Sequence, residues 1–133
     1  MRKTAFLLTT LIFATTAAAD DPERGKDLFS DHCATCHGMS ATGNGPMSSV
    51  LSVRPPDLTA LSTDNGGAFP LDRVIRRIDG TTEVLAHGGP MPIYGLLLQG
   101  QSEVVLAPDG SELIAPEAIV DIATWLQEIQ KGS

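Results

Sequence analysis

Two cysteines and a histidine lie close together in the stretch CATCHG, which runs from residue 33 to residue 38. These are the only 2 cysteines among the 133 residues of the chain. Thiol and imidazole groups bind metals, form disulfides and take part in redox chemistry. The pattern therefore predicts a chemical site at Cys33, Cys36 and His37, and three kinds of chemistry have to be compared for it.

Two of these chemistries fit the surrounding sequence poorly. A CxxC oxidoreductase motif follows a hydrophobic strand, but the residues before Cys33 read DPERGKDLFSDH, which is polar with a helical period. A structural zinc ion needs four ligands, and the sequence has no second CxxC or HxxxH cluster to complete them. Both interpretations are therefore disfavoured, while a plain disulfide between the two cysteines stays an alternative.

The third chemistry is covalent attachment of haem, for which CxxCH is the recognised sequence sign. Residues three and four apart share one face of a helical turn, so both sulfurs and the imidazole can approach one cofactor together. The sulfurs would bond to the two vinyl groups of the porphyrin, and the imidazole would bind the iron. The motif therefore predicts one haem c, with its iron, held by Cys33, Cys36 and His37.

The first nineteen residues have the order of a secretory signal peptide. Arg2 and Lys3 precede an apolar run, and three alanines follow at 17–19. The apolar run is diluted by threonines and is short for a membrane-spanning helix. We therefore expect residues 1–19 to direct export to the periplasm, and residues 20–133 to form one domain with no membrane span.

The charge of the chain restricts its partners. There are 9 basic and 16 acidic side chains, which gives a formal net charge of −7. Loss of residues 1–19 removes two of the nine basic side chains and no acidic one, so the charge becomes −9. Such a balance argues against binding to nucleic acid and to anionic membrane surfaces. It predicts docking on basic patches of partner proteins, with simple solubility as the alternative explanation.

Three helices are predicted around the motif. Asp20 or Asp21 caps the first helix, which begins with Pro22 and runs towards the cysteines. A second helix fits residues 70–78 and ends at an Asp-Gly pair. A third begins at Pro116 and repeats apolar residues at helical spacing.

The segments between these helices are predicted to be loops and one hairpin. Residues 36–70 are rich in glycine, proline and serine, which favours loops. The alternating stretch SEVVLAPDGSELIA at 102–115 predicts a β-hairpin that turns at residues 108–110. Residues 20–133 contain only four aromatic side chains, few for a core of this size. A planar cofactor in the middle accounts for both the long loops and the missing aromatics.

With this order of motifs the chain resembles a class I c-type cytochrome, monohaem and periplasmic. The matching segments are GKDLF (25–29), CATCHG (33–38), GNGP (43–46), PPDLT (55–59), IDG (78–80), AHGGPMPIYG (86–95) and a terminal helix with Trp125-Leu126. The resemblance implies an all-α fold with about three main helices and long loops around the covalent haem, with the small hairpin near 102–115. It also implies that Gly25 and Phe29 meet Trp125 beside the haem.

The iron needs a second axial ligand on the face opposite His37, and this ligand decides what the protein does. The candidates in the mature chain are Met39, Met47, Met91, His32 and His87. Met91 lies far enough along the chain for the intervening residues to pass around the haem edge. The resemblance implies the same ligand, because the distal methionine of the family stands before proline and is followed by an aromatic residue and glycine. An ordinary core role for Met91, and ligation by His87 instead, stay as alternatives.

Several residues are expected to support the cofactor. The resemblance implies that Pro46 orients His37 through its carbonyl oxygen. Arg54 or Tyr94 is predicted to bind a haem propionate, with a solvated arginine as the alternative. Three more arginines form either the solvent face of the second helix or a local basic docking patch: Arg73, Arg76 and Arg77.

These features predict a protein that carries single electrons between periplasmic redox proteins, alone or as the haem subunit of an oxidoreductase, rather than an enzyme. Two axial ligands leave no open position on the iron, which favours outer-sphere electron transfer. The main alternative is a haem enzyme or gas-binding sensor in which Met91 is labile or does not bind. A further alternative is an interaction module without haem.

Overall fold

The computed structural model describes residues 20–81, 91–107 and 110–132. In chain order the elements are α1 (Pro22–His32), α2 (Ala34–His37), the 3-10 turn η1 (Leu58–Ala60), α3 (Leu61–Asp64), α4 (Leu71–Asp79), β1 (Ser102–Leu106), β2 (Glu112–Pro116) and α5 (Glu117–Glu128). The expected helical fold with one small hairpin is confirmed. The predicted leader at 1–19, His87 and the hairpin residues 108–109 lie outside the described residues. No helix in the described part is long and apolar enough to span a bilayer.

The first helix begins where the sequence predicts. The Asp21 side chain accepts a hydrogen bond from the backbone N–H of Arg24 at 3.0 Å, and Pro22 occupies the first helical position. The same turn is joined to α5, because Asp121 accepts hydrogen bonds from the backbone N–H of Asp21 at 2.7 Å and from the Arg24 guanidinium at 2.8 Å. The capped end of α1 is therefore fixed to the last helix of the chain.

Helices α1 and α5 cross at a glycine. A Cβ atom on Gly25 would overlap the backbone carbonyl oxygen of Asp121, so only glycine permits this approach. One turn further along, Phe29 packs against Trp125, with ring centroids 4.7 Å apart and ring planes tilted by 46°. This is the contact between the first and last helices that the resemblance implies. It brings the end of α1, where the cysteines follow, to the centre of the core.

The second predicted helix is also confirmed, as α4, displaced by one residue from 70–78. Its apolar face buries Val74, Ile75 and Ile78 against the core. The helix ends at Gly80, which adopts a left-handed conformation with φ of 91°. The helix packs against α5.

The sequence predicts that residues 36–70 are all loop, and this is wrong for part of the segment. It contains η1 and α3, which follow directly on one another. Asp57 starts η1, since its side chain accepts a hydrogen bond from the backbone N–H of Thr59 at 2.9 Å. These turns are too short to show a helical period, so the apolar pattern does not predict them.

The C-terminal tail holds these two turns in place. The amide group of Gln130 donates to the Leu58 carbonyl at 2.8 Å, and its oxygen accepts from the backbone N–H of Ser62 at 2.8 Å. The Lys131 ammonium lies 2.8 Å from the Asp57 carboxylate and, together with Thr59, lowers the pKa of Asp57 to about 2. Residues far apart in sequence therefore fix the wall that η1 and α3 form.

The predicted hairpin is confirmed by the antiparallel pairing of β1 with β2, in which Val104 lies opposite Ile114. Side chains alternate between an exposed and a more buried face along both strands. Glu103 points to the inner face, where its Oε1 atom is buried and has no hydrogen-bond partner among the described residues. The hairpin therefore brings a carboxylate into the group of charges at the start of α1 and α5.

Burial and this group of charges together raise the pKa of Glu103. Burial is the largest cause, and the negative charges of Asp20, Asp121 and Glu117 add to it, while Arg24 opposes them. Burial likewise raises the pKa of Asp121, against the effects of its two hydrogen-bond donors. Ionised Glu103 is therefore a cost to the folded state that grows as pH rises.

We expect Gly25→Ala to lower the free energy of unfolding by about 1–3 kcal/mol, because the two helix backbones must separate to admit the methyl group. Denaturant unfolding of the purified protein measures this loss. Gly100→Ala is the matched control, since a Cβ atom on Gly100 meets no atom within 4 Å. Equal stability of the two variants would contradict the helix crossing described here.

We expect Glu103→Gln to stabilise the protein at pH 7, because it removes a carboxylate whose pKa is raised on folding. The stability gain should shrink as pH falls and vanish below about pH 4, where the unfolded carboxyl group is also protonated. Free energies of unfolding across this pH range test the expectation. Glu112→Gln, on the exposed face of the same hairpin, should show no such gain. A destabilised Glu103→Gln protein at pH 7 would refute the account of this charge group.

Candidate functional site

A cavity of about 450 Å³ opens beside the crossing of α1 and α5. Its walls come from these two helices, the cysteine turn, residues 51–61, α4 and residues 91–94. Most of the lining side chains are apolar, among them Phe29, Leu58, Leu61, Val74, Ile78 and Ile122. A concave apolar site of this volume is typical of cofactor binding.

The CATCH segment forms one helical turn against this cavity. The backbone N–H of Cys33 donates to the Phe29 carbonyl at 2.8 Å, and that of His37 donates to the Cys33 carbonyl at 2.9 Å. Cys33, Cys36 and His37 consequently all line the cavity, as their spacing predicts. The two cysteines are not joined in a disulfide.

The cysteines lack the chemistry of an oxidoreductase or zinc site. Burial raises the pKa of the Cys33 thiol to about 12, and the neighbouring Cys36 adds to the effect. Reactive oxidoreductase cysteines have lowered pKa values instead. Within the described residues, no three side chains of the histidine, cysteine, aspartate and glutamate types are placed to hold a metal ion. The raised pKa leaves Cys33 as a neutral thiol on an apolar wall.

The imidazole of His37 is suited to bind a metal. Its side chain is buried, and burial lowers its pKa below the usual value, with the backbone of Pro56 acting in the opposite direction. The ring is therefore neutral at pH 7, which is the form that binds metals. Its Nδ1 atom is buried and makes no well-formed hydrogen bond within the described residues. The carbonyl contact with His37 that is predicted for Pro46 is wrong. The backbone of Pro56 is next to the imidazole instead, and Pro46 borders a different hollow.

The described part of the chain has three methionines, and Met91 alone lines the cavity. Met91 is half-buried and packs against the core. Met39 and Met47 are 70% and 43% exposed, outside the cavity. The structure thus brings the predicted thioether to the same cavity as the imidazole of His37, while the alternative ligand His87 lies outside the described residues.

Tyr94 fixes the segment that follows Met91. Its hydroxyl group donates to the His32 carbonyl at 2.8 Å, and its backbone N–H donates to the Ile78 carbonyl at 3.0 Å. These bonds join the segment to α1 and to α4. Because the hydroxyl proton already has a partner, Arg54, which lines the cavity, is the better placed of the two predicted propionate ligands.

Two arginines of α4 reach the cavity, although the sequence favours a purely solvent-facing role for them. Arg73 and Arg77 line it, next to the buried Val74 and Ile78 of the same helix. Their spacing of four residues places both on one side of the helix. The same spacing also fits a solvent face, so the rotation of α4 in the fold decides that these two arginines reach the cavity.

Haem fits the donor groups around this cavity. Two thiols and a neutral imidazole occupy one turn of its wall, a thioether shares the cavity, and Arg54 offers a cation for a carboxylate. The remaining lining is chiefly apolar, as a porphyrin face requires. The geometry therefore matches a covalently bound, iron-containing planar cofactor better than it matches a disulfide or zinc.

Comparison with known families gives one match. The family model described as "Cytochrome c" matches residues 22–130, which covers most of the chain and every element from α1 to α5. Neither the comparison with curated proteins nor that with solved structures gave a match.

We expect the double variant Cys33→Ser and Cys36→Ser to lose the covalent chromophore and, with it, most of its stable fold, because the cofactor completes the apolar core. A haem-stained denaturing gel and a thermal unfolding curve of the exported chain test these two results. Thr35→Ser, an exposed position between the cysteines, is the control and should behave as the original protein. A double variant that folds with unchanged stability would show that the core needs no cofactor.

Proposed function

The chain belongs to the cytochrome c family, and from this premise we propose that it carries single electrons between redox proteins of the periplasm, with one haem c attached at Cys33 and Cys36. Members of the family bind haem c covalently and transfer electrons through its iron. The observation that carries the proposal is that His37 and Met91 line the same cavity as both cysteines. An imidazole and a thioether at one haem site are the ligand pair of electron-carrying cytochromes.

The proposed axial ligands are His37 and Met91. When bound, haem iron supplies the chemistry by alternating between its ferric and ferrous states. The neutral imidazole donates through a ring nitrogen, and its burial keeps water from competing for that position. The soft thioether favours the ferrous state relative to a second histidine. If His37 and Met91 both held the iron, substrate would have no site on it, and outer-sphere transfer would be the chemistry that remains.

The apolar walls contribute to the same function. Phe29, Leu58 and Leu61 exclude water from the cofactor, and Ile122 and Leu126 of α5 do so from another side. A dry environment favours the iron state of lower charge and reduces the solvent rearrangement that accompanies electron transfer. The residues that complete the core therefore also tune the reduction potential.

We place the protein in the periplasm because residues 1–19 have the charge and hydropathy order of a secretory signal. Attachment of haem to CxxCH takes place outside the bacterial cytoplasm, so cofactor attachment requires export. Cell fractionation with N-terminal sequencing of the haem-bearing chain tests this placement. A coloured chain that retains residues 1–19 would overturn cleavage of the leader.

We expect Met91→Ala to abolish the far-red charge-transfer band of ferric haem with a sulfur ligand, and to let the reduced protein bind carbon monoxide. Its reduction potential should fall by on the order of 0.1 V, within the ~0.8 V range that axial ligands control. Optical spectra and redox titration measure these changes.

Met47→Ala is the matched control, since Met47 is a methionine outside the cavity. It should keep the band, the potential and the resistance to carbon monoxide. Rapid carbon monoxide binding by the unaltered reduced protein would instead support the haem enzyme or gas sensor.

A further inference from the structure

Positive charge is concentrated beside the cofactor cavity, although the chain as a whole is acidic. Residues 20–133 contain seven basic side chains, which are the nine of the whole chain less Arg2 and Lys3. Four of these seven are considered together: Arg54, Arg73, Arg76 and Arg77, while the other three are Arg24, Lys26 and Lys131. Three of the four line the cavity, and Arg76 is exposed on the same helix as two of them. More than half of the positive charge is therefore at one site.

The remaining basic residues are mostly neutralised. Arg24 lies 2.8 Å from the Asp121 carboxylate, and Lys131 lies 2.8 Å from that of Asp57. By contrast, the three arginines of α4 have no ion-pair partner within the described residues, although Asp72 and Asp79 are on the same helix. Arg73 and Arg76 are exposed to solvent, and Arg77 is half-buried.

Helical spacing places these arginines together. Residues 73, 76 and 77 are separated by three and four positions, so they share one side of α4. Exposed apolar side chains lie near the cavity and α4: Val53, which lines the cavity, is 57% exposed, and Ile93, which lies against Gly80 at the end of α4, is 48% exposed. Arginine with exposed apolar side chains is the composition of protein interfaces, which are depleted in lysine and acidic residues.

We propose that this arginine patch, defined as Arg73, Arg76 and Arg77 with Val53 and Ile93, is the docking surface for an acidic redox protein. The proposal rests on the proposed electron-carrier function and names the partner chemistry for the same site. Carboxylates of the partner pair with the guanidinium groups, and the acidic remainder of the chain repels the partner from every other face. This reverses the sign of the partner surface that net charge alone predicts.

Docking at this patch brings the partner to the cofactor. Because Arg73 and Arg77 line the cavity itself, a partner bound to them lies beside the haem edge. Haem bound in the cavity would supply the electron, and Arg73 and Arg77 would hold the partner beside it during an outer-sphere transfer that makes and breaks no bond.

Two small one-electron oxidants of opposite charge test the patch on the haem-loaded protein: ferricyanide and tris(phenanthroline)cobalt(III). We expect the ferricyanide rate to fall as salt is added and the cobalt rate to rise, because the local potential at the mouth is positive. Net charge alone predicts the opposite signs. A ferricyanide rate that rises with salt would overturn the proposal.

Substitutions locate the effect. We expect Arg73→Gln and Arg76→Gln each to slow ferricyanide oxidation about threefold at low salt, within the range of electrostatic steering. Lys26→Gln is the matched control, because it changes the net charge equally at an exposed position that does not line the cavity. Equal rates for all three variants would refute the patch.

A competitor and a potential measurement complete the test. Polyglutamate should inhibit ferricyanide oxidation of the unaltered protein and inhibit the arginine variants less. If Arg76→Gln shifted the reduction potential or the haem spectrum, the arginines would serve the cofactor rather than a partner, and the docking proposal would fail. Failure of the electron-carrier function is distinguishable, since a haem enzyme or gas sensor would bind carbon monoxide rapidly when reduced, whatever the salt dependence of the two oxidation rates.

Discussion

The close crossing of α1 and α5 is the constraint on which the rest of the structure depends. Where the backbones meet, at Gly25 and Asp121, no side chain separates them. This approach sets the position of Phe29 against Trp125 and, one turn later, of the cysteine turn that ends α1. The last helix then supplies the facing wall of the cavity. The close packing of α1 and α5 therefore determines the shape of the cofactor cavity beside them.

The other walls depend on hydrogen bonds between residues far apart in sequence. Gln130, near the C-terminus, holds the turns that carry Leu58 and Leu61 to the cavity. Tyr94 joins the segment after Met91 to the end of α1. Long loops are costly to order, and these few buried bonds supply the order where regular structure is absent. The turn that carries His37 and the segment that follows Met91 are therefore both fixed to α1.

Local chemistry explains how much of this the sequence predicts. The helix starts at Pro22 and near Pro70 follow from caps and periodicity, and the CATCH turn follows from its spacing. Three features depend instead on tertiary position. The turns at 58–64 need Gln130, the choice of Pro56 over Pro46 beside His37 depends on the path of a loop, and the lining role of Arg73 depends on how α4 is rotated. Periodicity and capping patterns in the sequence do not predict the Gln130 contacts, the loop path or the rotation of α4.

We propose that the iron of the bound haem lies between the imidazole of His37 and the thioether of Met91. An anomalous-difference map, recorded at the iron absorption edge on crystals of the exported protein, locates the metal directly. The account predicts a single peak in the cavity, with His37 and Met91 on opposite sides and a porphyrin joined to Cys33 and Cys36. A map with no iron peak there, or with a metal bound by the cysteine sulfurs, would contradict it.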